Sequence, residues 1–255
     1  MYPYNFSVMV TYPNISAPIV FGCEGEKITA DEKRFFSDVR PFGFILFNRN
    51  IKTADQVKRL CNDLRDSLGW QAPILIDQEG GQVQRIFPPM ARNWPPILDH
   101  VKSAGSKAYN EIYARYAIIA KELVELDIDF NCAPLLDVAR SFTHPFLKKR
   151  CFAYSPNKVS VLGKAAVAGL RDGGILPVLK HIPGHGLAEL DSHVDVPIVS
   201  ASLNKLKKVD FVPFKEMNDA PMAMTAHVVY EKLDDLPGTI SKKVINCIRQ
   251  DIGFS

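Results

Sequence analysis

Residues 175–186, which read Ile-Leu-Pro-Val-Leu-Lys-His-Ile-Pro-Gly-His-Gly, join an apolar run to a cluster of titratable groups. The apolar half, Ile175–Leu179, predicts a buried β-strand, and the polar half begins at Lys180, where that strand ends. In α/β folds, the side chains that carry chemistry lie at the carboxyl ends of strands and on the loops beyond them. The stretch therefore predicts both an α/β fold and the place of a site within it.

Other apolar runs, separated by amphipathic helical patterns, predict more strands of the same kind. They are near-continuous rather than alternating, which is typical of parallel strands covered by helices. The predicted strands are Pro18–Phe21, Gly43–Phe47, Pro73–Ile76, Ile128–Ala133, Ile175–Leu179 and Pro221–Val229, the last of which can include a turn.

Six β-α steps in succession are typical of a (β/α)8 barrel or of a doubly wound sheet. The segment that follows the first strand, Gly22-Cys23-Glu24-Gly25, lacks the third glycine and the spacing of a dinucleotide-binding loop. This favours the barrel. We expect one α/β domain over residues 1–255, a (β/α)8 TIM-type barrel in which only about the first six β/α units are present.

Helix boundaries are marked by residues that can satisfy free backbone groups. A hydroxyl followed three residues later by Glu or Gln predicts a capping box, and Ser before Pro predicts a helix start. Glycine after an apolar face predicts a left-handed stop. The signals are Thr29 with Glu32, Thr53 with Gln56, Ser155 with Pro156, Gly173 as a stop, and a helix from about Ser241 to Ile252.

The composition excludes several functional classes. Hydrophobic residues make up 47% and charged residues 23% of the 255, which are ordinary values for a globular protein. A net charge of +3 is too small to favour nucleic acid or an anionic membrane as the partner, and no apolar run reaches the ~18 residues of a membrane span. The five cysteines are scattered and odd in number, which predicts reduced thiols in a cytoplasmic protein.

Polar side chains also follow the third, fourth and sixth predicted strands, in addition to the fifth, which leads into the histidine segment. After the third strand come Asp77, Glu79 and Arg85, an arrangement that suits sugar hydroxyls, because carboxylates accept hydrogen bonds and Arg donates several. Asp137 follows the fourth strand, and His227 ends the sixth. Each has a structural alternative: Glu79 pairing with a neighbouring base, Asp137 bracing a loop, and His227 serving only the fold.

The run from Lys180 to His193 holds three histidines, which raises zinc as a rival interpretation. His181 and His185 are four residues apart, but Pro183-Gly184 prevents the helix on which such ligands share a face. His185 between two glycines has the alternative of merely stabilising the turn. A Ser-His-Asp triad is disfavoured, since Ser192 lies in no Gly-x-Ser-x-Gly turn. We expect no metal.

Five motifs in order carry a resemblance that spans nearly the whole chain. Together they resemble the single-domain bacterial β-N-acetylglucosaminidases of glycoside hydrolase family 3. The resemblance implies retaining hydrolysis of terminal β-linked N-acetylglucosamine from muropeptides during cell-wall recycling, in the cytoplasm and with no cofactor. The motifs are Asp77-Gln78-Glu79-Gly80-Gly81, Ala133-Pro134-Leu135-Leu136-Asp137-Val138, Lys180-His181-x-Pro183-Gly184-His185-Gly186, Asp191-Ser192-His193 and Met224-Thr225-Ala226-His227.

The resemblance also assigns roles to residues. It makes His193 the general acid/base and Asp191 its partner, and imidazole suits this because it titrates near neutral pH. The positions that hold the sugar are Asp77, Arg85, Arg150, Lys180 and His181. Arg150 matches less closely, since the family has Gly-Asp before it and this chain has Lys148-Lys149.

The family's nucleophile is an aspartate on the strand after an Ile-Gly-Phe-like turn, and this sequence reaches Ile252-Gly253-Phe254-Ser255 and ends. We therefore expect the nucleophile and the last two strands to be absent. Open barrel edges would favour self-association. The alternatives are an inactive descendant that binds a sugar or a partner protein, and a metal-dependent protein that uses the clustered histidines.

Overall fold

The computed structural model describes residues 17–188 and 196–254. The strands are β1 (Ala17–Phe21), β2 (Pro41–Leu46), β3 (Ile74–Ile76), β4 (Phe130–Asn131), β5 (Leu176–Ile182), β6 (Ile198–Val199), β7 (Met222–Thr225) and β8 (Val229–Tyr230). The helices are α1 (Ala30–Val39), α2 (Ala54–Leu68), α3 (Ile97–Ala104), α4 (Ala108–Val124), α5 (Pro145–Lys148), α6 (Pro156–Asp172), α7 (Leu203–Lys208), α8 (Val212–Lys215) and α9 (Lys242–Cys247).

Within these residues, six strands form one parallel sheet in the order β1-β2-β3-β4-β5-β7. The short β6 and β8 pair with each other, also in parallel, as a second sheet. A doubly wound sheet reverses its strand order at a switch point, whereas the order of the described strands follows the chain. The sheet curls into part of a barrel, which confirms the predicted TIM-like α/β architecture with six strands.

The two faces of the sheet have different cores because successive side chains of a strand alternate between faces. Ile74 packs with the helices on the outer side, whereas Leu75 belongs to a small apolar cluster on the concave side. Val178 of β5 lies in the same concave cluster. Two residues further along these strands, the concave positions are taken by Asp77 and Lys180, so polar groups begin directly above an apolar layer. The buried members of the concave cluster are Leu75, Phe130, Cys132 and Val178.

The outer layer depends on a close approach between α4 and α6. A β-carbon at Gly169 would lie 2.4 Å from the carbonyl oxygen of Tyr113 and 2.9 Å from the nitrogen of Ala117. Only glycine therefore allows the two helix backbones to meet at this distance. This contact holds α6 against the sheet just before β5, the strand that carries Lys180 and His181.

The predicted N-terminal caps are confirmed at α1 and half confirmed at α2. Thr29 Oγ1 accepts from the Glu32 N–H, and Glu32 accepts in return from the Thr29 N–H, which completes the capping box. Thr53 accepts from the Gln56 N–H in the same way. The Gln56 side chain, however, accepts from the N–H of Lys52 instead of Thr53, so the second box is incomplete.

Two helix ends differ from the prediction. Ser155 precedes α6 as expected, but its side chain makes no capping hydrogen bond. Gly173 has a right-handed φ of −80°, and the left-handed turn is made by Gly174, whose φ is 94°. The last predicted helix divides into α9 and a π-helical turn at Ile248–Ile252.

Two predicted strands are shortened or divided in the structure, and the fifth runs past its predicted end at Leu179, through Lys180 and His181, to Ile182. The fourth predicted strand is reduced to Phe130–Asn131, because the chain turns into a loop at Ala133-Pro134, where proline has no N–H for the ladder. The sixth predicted strand divides into β7 and β8, since β8 leaves the main sheet to pair with β6. No bounds were predicted for helices α3 and α4, and neither has a side-chain cap that could have marked its start.

In the part of the chain that the structure describes, no helix is both long and apolar enough to cross a membrane.

Among the described residues, β1 and β7 are the outermost strands of the sheet, and each has one edge that no other described strand of this sheet covers. Unpaired N–H and C=O groups along a strand edge pair readily with another chain. We expect self-association, seen by sedimentation as an average mass that rises with protein concentration. A single monomeric species across a hundredfold range of concentration would contradict this prediction.

Candidate active site

A buried lysine links two carboxylates at the carboxyl ends of β3 and β5. Lys180 Nζ lies 2.7 Å from Asp77 Oδ1 and 2.6 Å from Glu79 Oε1. The Lys180 side chain is only 2% exposed, so water does not solvate its charge. A buried ammonium group is tolerated when it is paired and hydrogen-bonded, and the two carboxylates provide that pairing.

Arg150 binds Glu79 from the other side. Its Nε donates to Glu79 Oε2 at 3.0 Å, and its Nη2 donates to Oε1 at 2.8 Å, so the contact is bidentate. The guanidinium group also lies over the ring of Phe146, 5.2 Å from the ring centre. The structural alternative for Glu79, pairing with neighbouring bases, is therefore what the structure contains.

The pairing fixes the charge of every member of this part of the site. Burial alone would raise the pKa of Glu79, but Arg150 and Lys180 outweigh it and lower that pKa to about 2. Burial would lower the pKa of Lys180, and the two carboxylates raise it instead. Arg150 likewise has a raised pKa, because Glu79 outweighs its burial. None of these three groups gains or loses a proton near neutral pH.

Arg85 and Asp77 form the accessible end of the same network. Arg85 Nη2 donates to Asp77 Oδ2 at 3.3 Å, and the two side chains are 27% and 15% exposed. Arg85 Nε has no hydrogen-bond partner among the described residues. Four of the five residues predicted to hold a sugar therefore lie in one network: Asp77, Arg85, Arg150 and Lys180.

The loop that carries Glu79 is held from below by a buried arginine of α4. Arg115 donates to the carbonyl oxygens of Glu79 and Pro95, both at 2.9 Å, and lies over the ring of Trp94. A β-carbon at Gly80, whose φ is 84°, would lie 2.3 Å from this guanidinium group. Gly80 is therefore required by both the backbone conformation and the close packing.

The fifth predicted sugar-binding residue, His181, is held by Asp137. Asp137 Oδ2 lies 2.8 Å from His181 Nδ1, and Oδ1 accepts the backbone N–H of His185 at 2.7 Å. Asp137 is fully buried, and the His181 side chain is 17% exposed. Burial would raise the pKa of Asp137, but His181 lowers it, so the carboxylate stays ionised. The structural alternative for Asp137, bracing a loop, is confirmed, and the brace includes a histidine ring.

His185 packs beside this pair, with its ring centre 5.4 Å from that of His181. Its side chain is almost completely buried, and burial lowers its pKa to about 4. His185 Nδ1 has no hydrogen-bond partner among the described residues. The ring is therefore neutral at physiological pH and is no candidate for proton exchange there.

The loop beyond His185 is anchored by the loop that follows β4. Thr143 Oγ1 donates to the carbonyl oxygen of Gly186, and the hydroxyl of Tyr230 donates to that of Gly184 at 2.8 Å. A β-carbon at Gly186 would lie 2.0 Å from the carbonyl oxygen of Val138, so glycine is required. The loop leads towards Asp191 and His193, which lie outside the described residues.

A second buried ion pair supports the same loop. Arg140 donates to both carboxylate oxygens of Asp210 at 3.1 Å, and Asp210 is fully buried against Gly184. Burial raises the pKa of Asp210 to about 6, although Arg140 opposes the rise. His227 is not part of these contacts: it is exposed, and its Nδ1 lies 2.7 Å from Thr239 Oγ1.

Comparisons with known proteins show the family of the chain. The model of the glycosyl hydrolase family 3 N terminal domain matches residues 10–255. The chain belongs to glycosyl hydrolase family 3. The order of its described strands is therefore that of the TIM-like family 3 domain.

Two relatives of this family 3 chain show how far the likeness extends. It is 34% identical over 248 residues to a β-hexosaminidase of Thiobacillus denitrificans, covering 93% of this chain and 67% of that protein. The structure of NagZ from Neisseria gonorrhoeae in complex with N-trifluoroacetyl-D-glucosamine has a TM-score of 0.86 and 31% identity, covering 93% and 72% of the two chains.

The family 3 comparisons also bear on the zinc alternative. The same Neisseria gonorrhoeae protein has been solved in complex with a zinc ion, with a TM-score of 0.85, 30% identity, and coverage of 94% of this chain and 72% of that one. Among the described residues of this chain, no three His, Cys, Asp or Glu side chains are grouped so that they could hold a metal ion.

The pairing of Glu79 predicts a large loss of stability in Glu79→Gln. The substitution leaves Arg150 and Lys180 buried without their shared carboxylate, which costs about 3–5 kcal/mol of unfolding free energy. Urea unfolding at pH 7 measures this loss. Glu216→Gln is the matched control, because Glu216 pairs with Lys164 at the surface. The control should change stability by less than about 1 kcal/mol, and equal effects of the two substitutions would refute the prediction.

The lowered pKa of Glu79 predicts a pH dependence of stability. A carboxyl group whose folded pKa lies below its unfolded value stabilises the fold above the unfolded value and loses that contribution as pH falls. For Glu79 the loss occurs between about pH 4.5 and about pH 2. The difference in unfolding free energy between wild type and Glu79→Gln should therefore shrink across this range. A wild-type minus Glu79→Gln difference in unfolding free energy that stays constant from pH 6 to pH 3 would contradict this prediction.

Proposed function

We propose that this chain acts in the hydrolysis of terminal β-linked N-acetylglucosamine, as an exo-β-N-acetylglucosaminidase. The observation that carries the proposal is the network of Asp77, Glu79, Lys180 and Arg150 beside the Asp137–His181 pair, in a chain of family 3. The names of the β-hexosaminidase and NagZ relatives support the same substrate class.

The chemistry of the accessible atoms supports a sugar as the ligand. Asp77 offers carboxylate oxygens to sugar hydroxyls, and the guanidinium group of Arg85, whose side chain is 27% exposed, can donate to sugar oxygens. His181, whose side chain is 17% exposed, is the third partly accessible group at the same strand ends. Lys180 and Arg150 are already engaged by Glu79, so in this proposal their main contribution is to fix the ionised Asp77 and the loops around it.

We propose His193 as the general acid/base and Asp191 as its partner in a retaining mechanism. The imidazolium gives its proton to the glycosidic oxygen as the bond from that oxygen to the anomeric carbon breaks, the alcohol leaves, and a carboxylate bonds to the anomeric carbon in its place. The neutral ring then takes a proton from the water that displaces this carboxylate and releases the sugar. Asp191 would orient the ring and favour the imidazolium. We assign no nucleophile to the chain.

The biological setting in this proposal is cell-wall recycling in the cytoplasm. The substrate would be a small peptidoglycan-derived muropeptide, and the reaction would need no cofactor, nucleic acid or membrane. The five cysteines, all buried and free, suit a reducing compartment.

A second candidate is a sugar-binding protein without turnover. It is favoured by a specific observation: Glu79, Arg150 and Lys180 hold fixed charges near neutral pH, which suits binding of a ligand and does not suit proton transfer. Binding and hydrolysis therefore have to be measured separately.

The test is binding of N-acetylglucosamine by calorimetry and hydrolysis of an aryl β-N-acetylglucosaminide, both with the purified chain. We expect binding, weakened about tenfold or more in Asp77→Asn, because hydrogen bonds to charged groups contribute about 1.5–3 kcal/mol. Asp172→Asn is the matched control, since Asp172 accepts a hydrogen bond from Tyr113 at the surface.

Hydrolysis should depend on His193, with a loss of about 10²–10⁴ in His193→Ala for a general acid/base. Binding without hydrolysis would establish the second candidate. If the folded protein shows neither binding nor hydrolysis, both candidate functions are refuted. Hydrolysis that appears only with added zinc and disappears with a chelator would restore the metal-dependent alternative.

A further inference from the structure

The carboxylate of Asp137 is fully occupied by the segment that begins with His181. Its Oδ1 accepts the backbone N–H groups of His185 at 2.7 Å and of His181 at 3.4 Å. Its Oδ2 lies 2.8 Å from His181 Nδ1. Asp137 has no exposed surface, so water does not compete for either oxygen.

This geometry determines which nitrogen of His181 carries the proton. An ionised carboxylate only accepts hydrogen bonds, so the atom facing Oδ2 has to be a donor. In the neutral ring the proton is therefore on Nδ1, and Nε2 carries the lone pair. The ring retains 17% exposure while the carboxylate has none, which puts the accessible edge of the ring away from Asp137.

We propose that Asp137 is a positioning residue that sets His181 in the Nδ1–H tautomer, so that Nε2 accepts a hydrogen bond from a hydroxyl or amide N–H of the bound sugar. The inference rests on the proposed function insofar as the ligand is a sugar held by His181. It adds that His181 recognises a donor group, whereas Arg85 recognises an acceptor.

Asp137→Asn separates this role from a purely structural one. The amide oxygen has to stay on the Oδ1 side, because the backbone N–H groups of His185 and His181 need an acceptor there. The amide NH₂ then faces His181 Nδ1 and can only donate to it. The neutral ring is forced into the opposite tautomer, with Nε2–H now pointing at the ligand.

The experiment is ¹⁵N NMR of the histidine rings of the full chain at pH 8, where imidazole is ordinarily neutral. The His181 signals are identified by their loss in His181→Gln. We expect His181 to be protonated on Nδ1 and unprotonated on Nε2 in the wild-type protein, and the reverse in Asp137→Asn. A proton on Nε2 of His181 in the wild-type protein would overturn the proposal. This measurement needs no Asp137 variant, so the proposal remains testable if Asp137→Asn does not fold.

Binding of N-acetylglucosamine provides the second measurement. Asp137→Asn should weaken it about 10- to 100-fold, since a mismatched buried hydrogen bond costs about 1–3 kcal/mol. Asp129→Asn is the matched control: Asp129 also accepts a backbone N–H and pairs with an arginine, Arg65, but lies at the other end of β4. It should change neither the tautomer nor the affinity.

The outcomes separate the two proposals. The expected tautomers with no sugar binding by wild type would overturn the proposed function and leave the tautomer assignment standing. A reversed tautomer in Asp137→Asn with undiminished binding would overturn the part of the inference that gives Nε2 to the sugar.

Discussion

The buried ammonium group of Lys180 is the constraint on which the rest of the site depends. It stands two residues beyond Val178 on the concave face, above an apolar layer that offers it no hydrogen bonds. Burying such a charge costs several kcal/mol unless it is paired, so Asp77 and Glu79 have to approach it. Glu79 is itself buried and in turn needs Arg150. One lysine at the end of β5 thus fixes loops that come from β3 and β4.

Much of this could be predicted from the sequence because it depends on local signals. Apolar runs predict the strands, and polar residues that follow these runs, such as Asp77 and Lys180, are expected at one edge of a parallel sheet. Parallel strands bring their carboxyl ends together, so this inference needed only strand positions. The Thr29–Glu32 capping box was predictable for the same reason, since both partners lie within one turn.

The pairings could not be predicted, because they join residues far apart in the chain. Glu79 and Arg150 are 71 residues apart, and Asp137 and His181 are 44 residues apart. Either acid could have faced water, a ligand or a base, and only the packing of the loops decides. Helices α3 and α4 were missed for a local reason: Pro96 and Lys107 precede them and neither side chain caps the helix. Arg115 of α4, which braces the Glu79 loop, was missed with them.

The electrostatics of the described site divide its groups by what they can do. The two cations, Lys180 and Arg150, lower the pKa of Glu79, and Glu79 in turn raises the pKa values of both cations. Burial lowers the pKa of His185, so all four values lie far from neutral pH. Groups in this state hold a fixed charge or a fixed proton, which suits orientation of a ligand and does not suit proton transfer at neutral pH. A reaction that moves a proton here needs a further titratable group, and the loop anchored through Gly184 and Gly186 leads the chain to His193.

The same Asp137 carboxylate that orients His181 also holds the backbone of His185 at the start of that loop. In the proposed function, ligand recognition and the placement of the loop therefore depend on a single buried acid.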